Sequence, residues 1–193
     1  MRIIGGTHRG RRIETVEAPG MRPVRDAVRE ALFSILGERI EGARVLDLYA
    51  GSGSLGLEAL SRGAERAVFV ERDEGVAAQL RRNVEGLGFS ARARIATVDA
   101  LAFLGDVAGG KRPGGYAVAF ADPPFAFSST PGFSDLVRGL SQGALWGAGE
   151  ATAVVEVEAR GAREADLDRL PGEVAYRRYG RNLLAISKFH SRA

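Results

Sequence analysis

The sequence predicts an α/β protein whose open, mostly parallel sheet carries helices on both faces. Short apolar runs alternate along the chain with segments that have the apolar spacing of amphipathic helices. The runs are rich in β-branched residues and lack strict polar–apolar alternation, which is typical of strands buried on both faces. The 193-residue length predicts one domain, and 45% hydrophobic with 26% charged residues is the balance of a soluble globular protein.

The predicted elements follow in the order that such a sheet requires. The chain opens with a short β-hairpin at residues 3–13 and an amphipathic helix at 26–36. Five strands are predicted, at residues 44–48, 64–71, 92–96, 116–122 and 151–158. Three helices are predicted, at residues 55–62, 74–87 and 133–145. Strands at 174–179 and 183–189 predict an antiparallel hairpin at the sheet edge, and surface loops are expected at 105–115 and 126–132.

The composition excludes several kinds of site. There is no cysteine, which rules out disulfides, cysteine-bound zinc, iron–sulfur clusters and any reaction that needs a cysteine nucleophile. His8 and His190 are the only histidines, and we expect no metal site. No apolar run approaches the roughly 20 residues that span a bilayer, and the first residues lack the apolar stretch of a signal peptide. We therefore expect a cytoplasmic protein without a membrane partner.

Basic residues are concentrated at both ends of the chain. The net charge is +3, and of the 27 basic residues only Lys111 and Lys188 are lysines. Residues 1–12 and 176–193 hold four and five basic residues respectively, and neither segment contains an acidic residue. Arginine binds phosphate well, so this distribution favours a polyanionic partner.

The sequence from Asp47 to Gly56, here called the glycine loop, follows the first predicted strand and opens a helix. Its glycines allow backbone N–H groups to approach a ligand at a helix N-terminus. Gly51, Gly53 and Gly56 match the G-x-G-x-x-G pattern of dinucleotide sites. Glu71, twenty residues after Gly51, ends the next strand and suits a pair of ribose hydroxyls in either kind of site. The loop therefore predicts a cofactor that contains adenosine.

Asp47 favours S-adenosylmethionine over a dinucleotide. A carboxylate at the end of the first strand repels a pyrophosphate but suits the cationic methionine end of S-adenosylmethionine. The spacing D-x-x-x-G-x-G is typical of sites for that cofactor. Asp99, after the weak third strand, is placed to accept a hydrogen bond from an adenine amino group, to cap the following helix, or to do both.

The segment Asp122-Pro-Pro-Phe125 ends the fourth predicted strand, where an open parallel sheet binds its ligands. Its prolines lack N–H donors and stiffen the corner, which leaves carbonyl groups and the Asp122 carboxylate as acceptors. Two acceptors can hold both N–H groups of a nucleobase amine, and Phe125 can stack on the base. Such chemistry needs a base that has left its stack.

These motifs together resemble a family. Three features follow one another along the chain: D-x-x-x-G-x-G, an acidic residue at a strand end, and D-P-P-F. Their order resembles that in amino-group nucleic-acid methyltransferases. The N-terminal stretches 1–6, 10–13, 22–25 and 28–33, and the strand at 179–189, resemble the RsmD-type 16S rRNA guanine-N2 methyltransferases over nearly the whole chain. Val24 and the pair Arg181-Asn182 depart from the family pattern.

The resemblance implies a Rossmann-like class I methyltransferase with a mostly parallel seven-stranded sheet, an antiparallel C-terminal edge hairpin and a short N-terminal hairpin plus helix. Residues 1–43 would bind RNA and 44–193 would form the catalytic core of one domain. The implied cofactor is S-adenosylmethionine, bound by Asp47, Tyr49, Ala50, Gly51, Ser52, Gly53, Gly56, Glu71, Arg72, Asp99 and Ala100. Guanine would be held by Asp122, Pro123, Pro124 and Phe125, and RNA phosphates by Arg2, Arg9, Arg11, Arg12, Arg22 and Arg25. The implied partner is 16S rRNA within a small-subunit assembly particle, bound by a monomer.

Three other readings of the motifs stay open at this point. A DNA adenine-N6 methyltransferase shares D-P-P-F but usually carries a separate target-recognition region. An NAD-dependent dehydrogenase fits the glycine pattern but leaves Asp47 and D-P-P-F unexplained. A non-catalytic RNA-binding module needs the basic ends but not the cofactor site. C5-pyrimidine methylation is excluded because it needs a cysteine nucleophile.

Overall fold

The computed structural model describes residues 1–16, 26–160 and 164–192. These residues form two compact units, Met1–Val98 and Asp99–Ala193. The described strands belong to a mixed, mostly parallel seven-stranded sheet, so the predicted fold class is confirmed. That the whole chain acts as a single domain stays a prediction.

The first unit contains three parallel strands in the order β3-β2-β1. Its helices and strands are α1 (Asp26–Leu36), β1 (Arg44–Leu48), α2 (Ser54–Ser61), β2 (Arg66–Val70), α3 (Glu74–Gly86) and β3 (Ala93–Ala96). Short 3₁₀ turns lie at Gly6–His8 and Gly37–Ile40. Asp47 of β1 pairs in register with Phe69 of β2, which places the ends of these two strands side by side.

The second unit contains four strands in the order β4-β5-β7-β6. Its helices and strands are α4 (Ala100–Ala108), β4 (Val118–Ala121), α5 (Pro131–Leu140), β5 (Gly149–Glu158), α6 (Glu164–Leu167), β6 (Glu173–Tyr179) and β7 (Asn182–Ser191). Further 3₁₀ turns lie at Phe125–Ser129 and Gly143–Leu145. β4 and β5 are parallel, whereas β7 is antiparallel to both β5 and β6, which confirms the C-terminal edge hairpin.

The strands are where their apolar runs predict them, although several are shorter. β4 spans only Val118–Ala121 of the predicted 116–122, and all four of its residues are buried. α1 has the predicted bounds, whereas the helix predicted at 133–145 ends at Leu140, beyond which the chain turns through Gly143–Leu145.

Two loop predictions were wrong. The segment 105–115, expected to be a loop, begins inside α4, whose Phe103, Leu104 and Val107 are buried against the rest of the unit. The expected loop 126–132 consists of a 3₁₀ turn and the start of α5. The predicted N-terminal hairpin is confirmed: Arg2 and Arg12 form an antiparallel bridge, Ile3 N donates to the Arg11 carbonyl at 2.9 Å, and a 3₁₀ turn forms the tip.

Candidate active site

The backbone of the glycine loop turns sharply after β1. Tyr49 has φ of 58°, and among the described residues it is the only non-glycine with positive φ. Gly51 and Gly53 follow with φ of 55° and 84°. A left-handed conformation is costly for a side chain such as tyrosine, and strained residues of this kind cluster at ligand sites. At Gly53 a Cβ atom would lie 2.4 Å from Leu80 Cδ1, so this turn also requires glycine for packing.

Gly56 and Asp47 join the loop to the sheet. A Cβ atom on Gly56 would lie 2.3 Å from the Phe69 ring, so α2 can approach β2 only with glycine here. The Gly56 N–H donates to Asp47 Oδ2 at 2.9 Å. Asp47 thus occupies the positive N-terminal end of α2, where a dinucleotide site would receive its pyrophosphate. This geometry disfavours the dehydrogenase reading.

The charge on Asp47 is poorly compensated in the protein alone. Its side chain is only 2% exposed. The pKa of Asp47 is raised from 3.8 to about 7: burial is the main cause, the negative charge of Glu71 adds to it, and the hydrogen bond from Gly56 acts in the opposite direction. Within the described residues neither carboxyl group forms an ion pair with a basic side chain, and two neighbouring carboxyl groups of this kind suit a positively charged ligand. The donor set therefore fits S-adenosylmethionine.

Glu71 supports the glycine loop from the end of β2. Its Oε2 accepts a hydrogen bond from Gly51 N at 3.0 Å, and its Oε1 accepts one from Asp73 N at 2.9 Å. Asp73 in turn caps α3 through Val76 N at 2.9 Å. Arg72 between them is exposed. The loop and the start of α3 are thus held by one carboxylate, and the role of Glu71 toward ribose stays a prediction.

Asp99 is the N-cap of α4, one of the two roles considered from sequence. Its Oδ1 accepts hydrogen bonds from Leu101 N at 2.9 Å and Ala102 N at 3.3 Å. Both bonds use the same oxygen, which leaves Oδ2 for an adenine amino group. Ala100 is buried behind it. Contact of Asp99 and Ala100 with the cofactor stays a prediction.

The D-P-P-F corner lies directly after β4. Asp122 and Phe125 are half-buried, Pro123 is buried and Pro124 is exposed. The Pro124 carbonyl accepts a hydrogen bond from Phe127 N at 2.7 Å, and the Phe125 carbonyl accepts one from Ser128 Oγ at 2.7 Å. These bonds form the 3₁₀ turn Phe125–Ser129. The hydrogen bond of this turn uses the carbonyl of Pro124 rather than that of Pro123. That the two prolines stiffen the corner stays a prediction.

The N-terminal head, residues 1–16, is anchored to α2. Glu58 is fully buried, and its two carboxylate oxygens accept hydrogen bonds from Ile4 N at 2.7 Å and Gly5 N at 2.8 Å. Arg62 pairs with Glu58 Oε1 at 2.7 Å, so the buried charge is compensated. Sequence reasoning did not identify Glu58, because its backbone partners lie more than fifty residues away.

The predicted RNA-binding arginines of the head are all exposed: Arg2, Arg9, Arg11 and Arg12. Arg11 donates to the Gly86 carbonyl at 2.9 Å, and Arg12 pairs with Glu14 at 3.0 Å. Both contacts lie at the surface and are easily exchanged for a phosphate. Arg22 and Arg25 lie outside the described residues.

Asn83 joins the head to the glycine loop and was not predicted. Its Nδ2 donates to the carbonyls of Glu14 at 2.8 Å and Ser52 at 3.1 Å, and its Oδ1 accepts from Glu14 N at 3.1 Å. Asn83 is buried on α3 beside Leu80 and Val84. A polar amide among the apolar positions of a helix is the sequence signal that could have identified it.

Neither a candidate metal cluster nor a membrane-spanning helix is found among the described residues. Residues 1–16, 26–160 and 164–192 contain no cluster of three or more histidine, aspartate or glutamate side chains that could hold a metal ion. No helix in these ranges is long and apolar enough to cross a membrane.

Comparison with known proteins places the chain among Rossmann-like methyltransferases. The Escherichia coli protein yhhF, a candidate methyltransferase of known structure, superposes with a TM-score of 0.79 at 33% identity, covering 100% of this chain and 99% of its own. SMU.776, a candidate methyltransferase solved with S-adenosylhomocysteine, shares the fold with a TM-score of 0.68 at 14% identity, covering 88% of this chain and 50% of its own. The predicted class of S-adenosylmethionine-dependent methyltransferases is confirmed.

Sequence relationships define the family. The chain belongs to the family described as Conserved hypothetical protein 95, which matches residues 1–188. The protein of Escherichia coli named ribosomal RNA small subunit methyltransferase D is 37% identical over 188 residues, covering 94% of this chain and 90% of its own length. The protein of the same name from Haemophilus influenzae is 42% identical over 132 residues, covering 66% and 65%. The resemblance seen in the motifs is confirmed.

Proposed function

We propose that this enzyme methylates the exocyclic N2 amine of a guanine in small-subunit ribosomal RNA. The D-P-P-F corner after β4 carries the proposal, because it combines a carboxylate with stiffened backbone carbonyls that suit a planar amine. The names of the relatives from Escherichia coli and Haemophilus influenzae support ribosomal RNA as the substrate. The exposed arginines of the head support a polyanionic partner.

S-Adenosylmethionine supplies an electrophilic methyl group on a sulfonium ion. We assign to Glu71 the hydrogen bonds with the ribose hydroxyls, and to Asp99 Oδ2 the hydrogen bond with the adenine amino group. The positively charged end of the cofactor lies near the Asp47 carboxylate in this assignment. The remaining cofactor contacts are assigned to the loop and strand ends: Tyr49, Ala50, Gly51, Ser52, Gly53, Gly56, Arg72 and Ala100. Gly56, Gly51 and Ser52 of the glycine loop are held by hydrogen bonds to Asp47, Glu71 and Asn83 respectively. These bonds exist before a ligand arrives, which lowers the ordering cost of binding.

The corner residues orient and stabilise the amine. Asp122 accepts one N–H of guanine N2 and the Pro123 carbonyl accepts the other, while Phe125 stacks on the base. As the new C–N bond forms, positive charge develops on nitrogen, and a fixed carboxylate stabilises it without reorganisation. The proton that leaves N2 passes to Asp122 or to water. No covalent enzyme intermediate is needed, which agrees with the absence of cysteine.

The proposed substrate is RNA in a small-subunit assembly particle, with the enzyme acting as a monomer in the cytoplasm. The head would contact phosphates, and the flipped guanine would enter the D-P-P-F corner. The described residues all belong to the two units, and the head is part of the first. Recognition of the surrounding RNA is therefore expected to depend on the particle.

Methyl transfer from labelled cofactor to small-subunit particles of a strain lacking the enzyme, followed by nucleoside analysis, tests the proposal. We expect N2-methylguanine. In Asp122→Ala the single-turnover rate should fall by about 10²–10³, the scale of losing one preorganised electrostatic partner, with cofactor affinity largely unchanged. Asp135→Ala, which removes an exposed carboxylate paired with Arg138 on α5, is the matched control. Full activity of Asp122→Ala would refute the mechanism, and N6-methyladenine as product would indicate an adenine methyltransferase instead.

A further inference from the structure

Glu156 is a buried carboxyl group that the proposed chemistry has not used. It lies on β5 and is only 4% exposed. Ala121, the last residue of β4, pairs with Val155 of β5 in parallel register. Asp122 directly follows Ala121 and Glu156 directly follows Val155, so these two residues are the next positions along that register. In-register neighbours on parallel strands point to the same face of a sheet, which places the two carboxyl groups on one face.

Asn182 fixes one oxygen of Glu156. Glu156 pairs with Leu184 of β7, and Asn182 is the diagonal neighbour two residues before Leu184. The Asn182 Nδ2 donates to Glu156 Oε1 at 2.5 Å. Because an amide N–H can only donate, Oε1 is the accepting oxygen and any proton on the carboxyl group belongs to Oε2.

The surroundings favour a neutral Glu156. Burial raises the pKa of Glu156 from 4.5 to about 7, against the lowering effect of the Asn182 hydrogen bond. The guanidinium at the turn into β7, Arg181, binds Glu158 Oε1. It therefore neutralises the next carboxylate of β5 on this face rather than Glu156. Two carboxyl groups that share a face in a low-dielectric environment favour one proton between them.

We propose that Glu156 is a positioning residue for Asp122: its protonated Oε2 donates a hydrogen bond to the Asp122 carboxylate while Oε1 accepts one from Asn182. This arrangement leaves the negative charge of the pair on Asp122, the group that faces the amine. It also fixes the carboxylate plane of Asp122 before the base enters. The inference rests on the proposed function, because only there does Asp122 contact the substrate.

Isotope-edited infrared spectroscopy of the whole protein tests the proton directly. With ¹³C-labelled glutamate carboxyl groups, we expect the C=O band of a protonated glutamic acid at neutral pH. Glu156→Gln should remove this band, and Glu158→Gln, an isosteric change two residues along β5, should leave it. Aspartic acids such as Asp47 carry no label and do not contribute. Absence of the band, or its survival in Glu156→Gln, would overturn the proposal.

Single-turnover kinetics test the positioning role. A glutamine at 156 keeps both an acceptor for Asn182 and a donor for Asp122, so Glu156→Gln should retain the rate within about threefold. Glu156→Leu fills a similar volume without either group. Its rate should fall by about 10- to 100-fold, the scale of one hydrogen bond to a charged group, with unchanged affinity for S-adenosylmethionine.

The kinetic outcomes separate the alternatives. Equal losses in Glu156→Gln and Glu156→Leu would show that an ionised carboxylate is required, and full activity of Glu156→Leu would show that the group only fills space. Either result overturns the proposal, and urea midpoints of both variants check that they are folded. If the parent protein methylated no ribosomal particle, the proposed function would fail, while the infrared band would still report the proton on Glu156.

Discussion

Replacement of Asp47 by asparagine tests the electrostatic account of the glycine loop. The amide oxygen of Asp47→Asn can still accept the Gly56 N–H, so the change removes charge with little change in shape. The pKa of Asp47 is raised from 3.8 to about 7, so the folded protein keeps a proton that the unfolded chain releases. At about 1.4 kcal/mol for each pKa unit, ionised Asp47 costs the ligand-free protein up to about 4 kcal/mol.

The sign of the effect follows from this proton. Between about pH 4 and about pH 7 the folded state binds more protons at Asp47 than the unfolded state, so the parent loses stability as pH rises. The variant has no such group. We expect little difference between the two near pH 4, and a variant more stable by about 2–4 kcal/mol at pH 8. For a chain of this size that raises the unfolding midpoint by about 5–15 °C.

Urea unfolding of parent and variant across this pH range measures the difference, with Asp135→Asn as an exposed control. Calorimetry on the same samples should show that Asp47→Asn binds S-adenosylmethionine about 10- to 100-fold more weakly, because a charged partner is lost. A stability difference that does not change with pH, or a variant less stable than the parent at pH 8, would refute the reasoning.

Three further changes test the site and the head. Glu71→Ala should weaken S-adenosylmethionine binding by about 1.5–3 kcal/mol in calorimetry, since it removes a charged acceptor and releases the Gly51 N–H. Phe125→Ala should weaken capture of the target base by about 1–3 kcal/mol, measured as RNA affinity, because a stacking contact is lost. Neutralising the three arginines within residues 9–12 should flatten the salt dependence of RNA binding by roughly two to three units, at about 0.7–0.9 per phosphate contact.

Matched controls separate these effects from general damage. Glu74→Ala removes an exposed carboxylate at the start of α3 and should leave cofactor affinity unchanged. Neutralising Arg39, Arg44 and Arg66, which are exposed in the same unit, should leave the RNA salt slope at the parent value. Unchanged cofactor affinity in Glu71→Ala would count against its assignment, and a parental salt slope in the head variant would remove the head from the RNA interface.

Local sequence patterns predicted the elements that carry the site. The run Arg44–Leu48 is a strand with the predicted bounds, and α1 likewise begins at Asp26 and ends at Leu36. Apolar periodicity and glycines report on neighbours within one turn or one strand, which is why these predictions hold. The prediction of a loop at 105–115 failed because it used the local glycines alone. Val107 is buried by the rest of the protein, and α4 extends to Ala108.

Long-range partners were beyond this reasoning. Asn83 contacts Glu14, 69 residues away, and Ser52, 31 residues away. Glu156 meets Asn182 across 26 residues. Residue type and spacing can mark such a side chain as buried, as they do for Asn83, but they do not identify a partner that lies far away in the chain.

The sequence by itself determined the fold class, the family, the glycine loop and the D-P-P-F corner, because these depend on the order of residues along a short stretch. The tertiary structure alone decided which carboxyl groups lose water. Asp47 and Glu156 are buried, whereas Glu74, which carries the same carboxyl group, is exposed. Desolvation depends on the surface that packing removes from water, and that surface is set by residues distant in the chain.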